Sequence, residues 1–209
     1  MKITKAQAQA NREHVVETAS QLFRERGYDG VGIADLMAAA GFTHGGFYKQ
    51  FRSKVDLMAE SAACGIAQTI ALSARVDVPE LVRSYLSREH RDTRATGCTM
   101  AALCGDAARQ PEAVRVEFAA GIERLLAVLC PGGSALDGVD TGQARARSLD
   151  ILAHAVGAIV LSRACPDDSP LADEILAVCR DEILASMGPT ATAGEPTRNH
   201  GGGTSARPE

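Results

Sequence analysis

A chain of 209 residues with 45% hydrophobic and only 4% aromatic content is long and apolar enough to bury a core, which excludes wholesale disorder. Ala and Leu dominate the apolar set and long Val/Ile/Thr alternations are missing, so composition predicts an all-α protein. The net charge of −4 splits into +3 over residues 1–54 and −7 over the remainder, which confines any attraction for a polyanion to the N-terminal end.

From about residue 5 to 26, Val15, Val16, Ala19, Leu22 and Phe23 recur at three- and four-residue spacing, the pattern of an amphipathic helix, and Gly27 is its expected stop. Ile33 to Ala40 forms a second, short helix with Leu36 and Met37 on one face, ended by Gly41. Thr43 supplies an N-cap hydroxyl for a third helix over about 44–50, and Ser53 caps a fourth that runs from Lys54 into the 70s. Pro79 opens a helix to about Arg91, Thr99 to Arg109 is helical, and Pro111 opens the next, carrying Val114, Phe118, Ile122 and Leu125. Residues 131–138 read as a loop, after which Asp140 or Thr141 caps a long helix to about Arg163. Ser169-Pro170 starts the last helix, ending at Gly188, for about nine in all. The Gly/Pro/Thr-rich stretch 188–209 lacks apolar periodicity and is expected to be a disordered tail.

The first three helices, with Gly41 between the second and third, have a helix-turn-helix layout. Thr43-His44-Gly45-Gly46 has two readings. By itself it is a loop, since each Gly forfeits about 1 kcal/mol of helix propensity. With its flanks it opens a recognition helix whose small residues let the backbone approach DNA closely. Lys2, Lys5 and Arg12 either track a DNA backbone or minor groove, or form a frayed basic terminus. His14 reads as a surface residue.

The arrangement Gly27-Tyr28-x-x-Val31-Gly32-Ile33-x-x-Leu36-Met37-x-x-Ala40-Gly41-Phe42-Thr43-x-Gly45-x-Phe47-Tyr48-x-x-Phe51-x-Ser53-Lys54-x-x-Leu57 resembles the tetracycline-repressor (TetR) family of bacterial transcriptional regulators. Phe47-Tyr48-x-x-Phe51-x-Ser53-Lys54 is its most specific part, and the likeness covers about residues 10–60. The resemblance implies a DNA-binding head at 9–60 and an effector-binding and dimerisation body at 61–187. Within the head it implies that Thr43 caps the recognition helix and touches phosphate, that Tyr48 and Lys54 bind phosphate, and that His44, Gly45, Gly46, Lys49 and Gln50 face the groove. Phe47 and Phe51 turn inward. His44 and Gln50 are the candidates for base edges, and Lys49 serves a guanine or a phosphate. Gly32 stands where the family often has Thr or Ser, so it caps weakly and offers DNA only its N–H.

The body has to supply a core and, for a repressor, a dimer interface and a pocket. The last two helices can pair with their copies as a four-helix bundle, and Ala153, Ala155, Gly157 and Ala158 allow close approach, either between subunits or within one. Cys98, Met100, Cys104, Phe118, Ile122 and His154 are the candidate pocket residues. Cys98, near a helix N-terminus, is either a dipole-activated thiol or a small buried hydrophobe.

No hydrophobic run approaches the roughly 20 residues of a membrane span, and Met1-Lys2-Ile3-Thr4-Lys5 is too polar for a signal peptide, so a cytoplasmic protein with free cysteines is expected. Neither paired carboxylates, a nucleophile elbow nor metal spacing is present, so no catalytic residue, metal or cofactor is expected. The leading expectation is a homodimeric repressor, bound to a palindromic double-stranded DNA operator and released by an unknown small-molecule effector. The alternative is a thiol-based electrophile or redox sensor using Cys98, and a helical enzyme is the remote one.

Overall fold

The computed structural model describes residues 4–129 and 141–187; the expected loop at 131–138 and the tail at 188–209 lie outside the described residues. The described residues form ten helices and no strand. The first, α1 (Lys5–Arg26), starts where the Thr4 hydroxyl accepts from Gln7 N–H at 3.2 Å. It stops at Gly27, whose φ of +75° is costly for other residues and whose N–H returns to Phe23 O at 2.8 Å. Its core stripe is Val15, Val16, Ala19 and Phe23, all buried.

Next come α2 (Ile33–Ala39) and α3 (His44–Phe47). Between them Gly41 adopts φ +78°, Phe42 N–H bonds Met37 O at 2.8 Å and Gly41 N–H bonds Ala38 O at 3.0 Å. That pair of bonds is the Schellman ending, which turns the chain sharply without orphaned carbonyls. The third helix is only four residues long, and 48–50 continue as turns.

The long α4 (Lys54–Ser73) begins at Ser53, whose hydroxyl accepts from Asp56 N–H at 3.1 Å. Against the sequence reading, it is the one described helix long and apolar enough to cross a membrane by length and composition. Its apolar side is spent on protein, because α4 packs on α1, on α7 (Thr99–Ala107) and on α8 (Glu112–Leu129). Two glycines set that packing. A Cβ on Gly65 would lie 2.5 Å from Thr99 Oγ1 and 2.6 Å from Ser20 Oγ, and one on Gly121 would meet Ile66 at 2.7 Å.

One expected helix is two. In place of a continuous 79–91 segment stand α5 (Val78–Tyr85) and α6 (Arg88–Asp92). Leu86 leaves the helical region at φ −91°, ψ 47°, and the Ser87 hydroxyl caps the new helix by accepting from His90 N–H at 3.2 Å. The break lets Arg91 turn inward to 2% exposure. There it donates to Ser162 O at 3.1 Å, to Cys165 O at 3.2 Å and to Asp167 at 3.0 Å. It thereby pins α6 to the end of α9 (Thr141–Ala164), which packs along α10 (Pro170–Ser186).

Candidate nucleic-acid interface and body cavity

Two aromatic anchors build the exposed face of the head. Phe47 is fully buried, Phe51 is 3% exposed, and their rings lie 5.4 Å apart. They hold α3 against the core, so Tyr48 and Lys49 between them point outward. Tyr48 is 64% exposed, stands edge-on to Phe47 at 5.1 Å and has the His44 ring at 6.0 Å. His44, Gly45, Tyr48 and Lys49 are all exposed and adjacent. A Cβ on Gly45 would touch nothing within 4 Å, and one on Gly46 would make only ordinary contact, 3.6 Å from Met37. The fold itself therefore does not require these glycines.

Four expected roles look different in the structure. Thr43 is the N-cap residue of α3, but its hydroxyl makes no cap bond; only its carbonyl accepts, from Gly46 N–H at 2.9 Å. The Gln50 side chain does not project: its Oε1 is buried without a hydrogen-bond partner, and its carbonyl accepts from Arg12 Nε at 3.3 Å. The Lys54 ammonium is turned back to Tyr28 O at 2.5 Å and lies 5.8 Å from the Phe23 ring centroid, tying α4 to the end of α1. Arg12 is not in a frayed terminus but inside α1. It forks onto the Glu60 carboxylate and covers the Phe51 ring at 4.6 Å. Gly32 caps α2 with no side-chain bond, as a glycine must, and His14 is exposed beside Phe42.

Where the head meets the body, polar groups are buried and paired. Arg24, 5% exposed, donates to Ala95 O at 2.7 Å, Ser20 Oγ at 2.8 Å and Thr99 Oγ1 at 3.3 Å, and burial lowers its pKa. At the other end of α7, Asp106 accepts from Tyr28 N–H at 3.2 Å. Burial also raises the pKa of the Tyr28 phenol, which keeps it neutral. Both ends of the nine-residue α7 thus touch the end of α1.

The body holds a partly open cavity of about 50 Å³ walled by α4, α5, α8, α9 and the N-cap of α7. Tyr85, Leu125, Leu129, Ile151 and Cys98 line it. Of the six expected pocket residues only Cys98 does so. Met100 and Phe118 are core, since their side of α7 and α8 packs on α4; Cys104, Ile122 and His154 are half-buried away from the cavity. The lining comes from the next face of α8 and from α5, which the sequence reading had merged with α6. Cys98 is 4% exposed, and burial raises the Cys104 thiol to about 11. His90, missed in the sequence, braces the wall: its ring packs at a 41° tilt against that of Tyr85 with centroids 4.4 Å apart, Nδ1 donates to Tyr85 O at 2.7 Å and Nε2 accepts from Cys98 N–H at 3.1 Å. A helix break at Ser87 was the one local signal for it.

A short exposed helix after a glycine turn, anchored by two buried aromatics on a helical body, defines a helix-turn-helix protein of the all-α kind. Residues 15–60 match the family described as bacterial regulatory proteins, tetR family. In fold, a TetR transcriptional regulator from Chloroflexus aurantiacus J-10-FL matches with a TM-score of 0.66 at 25% identity, over 86% of this chain and 95% of that one. The head is thus a TetR-family domain, and the fold of the described residues is that of solved TetR-family regulators. Among curated proteins it is 37% identical over 57 residues to the HTH-type transcriptional regulator AcrR of Shigella flexneri, and 49% identical over 43 residues to the HTH-type transcriptional repressor DhaR of Mycobacterium sp. (strain GP1). Those alignments take in 27% and 21% of this chain and span only 26% and 22% of the two relatives, so the likeness in sequence is one of heads.

Proposed function

We propose that the protein is a cytoplasmic, homodimeric repressor whose residues 9–60 bind a palindromic DNA operator and whose residues 61–187 hold a small-molecule effector that releases it. The observation that carries this reading is the exposed set His44, Gly45, Tyr48 and Lys49 on α3 and the turn after it, fixed from behind by Phe47 and Phe51. Tyr48 and Lys49 are suited to phosphate, His44 and Lys49 to base edges, and Gly45 to close backbone approach. Thr43 and the Gly32 N–H, the N-cap residues of α3 and α2, are the further candidates for phosphate. Gln50 acts mainly by holding the turn after α3 to Arg12, and Lys54 by tying α4 to the end of α1 while keeping N–H groups for a phosphate.

The test is a binding series on an operator selected from random DNA. Tyr48→Phe and Lys49→Ala should each weaken binding several-fold, and Lys49→Ala should reduce the salt slope by about one. Wild-type affinity and slope in both variants would overturn this docking.

Support for the dimer comes from α9 and α10. Leu149, Ala153, Val160 and Leu161 are exposed along one side of α9, as are Leu171 and Val178 on α10, whereas Ala155 and Ala158 are buried within the subunit. A second copy covering that side would bury apolar surface otherwise left in water. Sedimentation should give a dimer for the wild type and a monomer for Leu161→Glu.

Effector action is supported by α7, whose N-cap lines the cavity while Asp106 holds the end of α1. A ligand that moves α7 would move the head. The thiol-sensor alternative keeps one supporting observation, that Cys98 lines the same cavity. It predicts that Cys98→Ser abolishes release by electrophiles and leaves DNA binding intact.

A further inference from the structure

A four-residue helix does not hold its own place, since helices shorter than about 12 residues are marginal by themselves. Whatever fixes α3 and the turn after it has to come from other helices. Phe47 and Phe51 fix it from behind by apolar contact, which is non-directional. Direction needs a hydrogen bond. Among the described residues just one ties residues 48–50 to another helix: Arg12 Nε donates to Gln50 O at 3.3 Å. The Gln50 side chain adds no such tie, its Oε1 being buried without a partner.

The guanidinium that makes this bond is itself held twice. Its other two nitrogens fork onto the Glu60 carboxylate of α4, and its carbon lies over the Phe51 ring at 4.6 Å. The flat face covers the aromatic anchor while the edge reaches the turn. Arginine's planar fork allows both at once, and a lysine's point charge does not. Arg12 therefore joins three parts of the head: α1, α4 and the turn after α3. Side-chain exposure is 31% for Arg12 and 38% for Glu60, so solvent screening leaves the ion pair little weight in stability. What a bidentate pair supplies at such a site is geometry. The pair is also neutral as a unit, so it offers a phosphate backbone no net charge.

We infer that Arg12 and Glu60 act together as a positioning pair for DNA recognition. They set the orientation of the turn that carries Tyr48 and Lys49, and Arg12 does so without contacting phosphate. The inference rests on the reading that residues 44–49 face the operator, and it names what holds them in register. It gives a carboxylate a favourable part in binding a polyanion. Simple electrostatics says the opposite, because Glu60 lies in the head and its charge repels phosphate. The sign of the Glu60 effect therefore separates a positioning pair from a basic residue that tracks the DNA backbone.

Three variants of the full chain test it on an operator selected from random DNA: Arg12→Lys, Glu60→Gln and the two together. Arg12→Lys keeps the charge and loses the fork, and it should weaken operator binding about tenfold with the salt slope unchanged. Glu60→Gln removes a negative charge, yet it should also weaken binding several-fold. The double variant should bind no more weakly than Arg12→Lys, since the two residues act as one unit. Tighter binding by Glu60→Gln, or wild-type binding by Arg12→Lys, overturns the inference. Amide exchange without DNA gives a second readout. The Gln50 and Phe51 N–H groups, each bonded to Phe47 O at 2.9 Å, should exchange faster in both single variants. The amides of α8 and α9 should keep wild-type protection, which separates a loosened turn from a general loss of stability. Unchanged exchange at Gln50 and Phe51 likewise overturns the inference. Faster exchange there in a protein that selects no DNA sinks the operator reading alone. A selected operator bound equally by all three variants sinks the positioning pair alone.

Discussion

Gly45 in the head and Gly65 in the body are both helical glycines, and they are there for opposite reasons. Around Gly65 the protein is full: Ser20, Arg24 and Thr99 meet over its Cα, and a methyl group has no room. Around Gly45 the protein is empty, with no atom within 4 Å of a built Cβ. The same contrast holds for the polar side chains. Near Gly65 the Arg24 guanidinium is buried and spent on Ala95 O and two hydroxyls. Near Gly45 the polar groups of Tyr48 and Lys49 face out. A glycine that packing demands is a structural part. One that packing leaves free has its reason outside the chain, which in the proposed reading is a DNA backbone.

The largest effect expected from breaking this contrast is at Gly65→Ala. Overpacking of this kind costs about 1–3 kcal/mol, and a thermal or denaturant melt should show the loss. A melt unchanged by the substitution would mean that Arg24 is not seated as described. Gly45→Ala should do the reverse, gaining up to about 1 kcal/mol of helix stability while weakening operator binding. If it stabilised the protein and bound DNA as tightly as wild type, close backbone approach at Gly45 would be ruled out.

The smallest effect is one of pH, and it belongs to the body. His90 uses both ring nitrogens in its neutral form, because Tyr85 O can only accept and Cys98 N–H can only donate. Burial holds its pKa below the ordinary value, against an opposing pull from the Tyr85 carbonyl bond and with a lesser lowering by the charge of Arg163. A depressed histidine pKa means that the unfolded chain takes up the proton first. The contribution to stability is therefore complete above the unfolded value, near 6.5, and declines as pH falls below it towards the folded value. Melts at descending pH should show that decline in wild type, diminished in His90→Gln. An identical pH profile for the two would remove His90 from the account.

Much of the head was legible in the sequence because its signals are local. Gly27 and Gly41 fall where a positive φ ends a helix, Ser53 sits three residues before the amide that its hydroxyl caps, and Phe47 and Phe51 are one turn apart. The candidate site read less well. Gln50 and Lys54 have the composition of groove and phosphate ligands, yet Lys54 finds its partner 26 residues back, and Arg12 finds Glu60 48 residues on. No spacing rule reaches that far. In the body, Met100 and Phe118 were equally good pocket candidates by type, and only the packing of α7 and α8 on α4 made them core.

By itself the sequence determined the all-helical class, nearly every helix start, the glycine turn and the aromatic anchors behind α3, since periodicity, caps and backbone freedom act within a few residues. The tertiary structure alone decided which polar groups face outward, which arginines are buried, that α5 and α6 are separate, and that Tyr85 and Cys98 share a cavity. Each of these depends on which helix faces lie against one another, and the free energy of burying or pairing a group is set by neighbours that are distant in the chain.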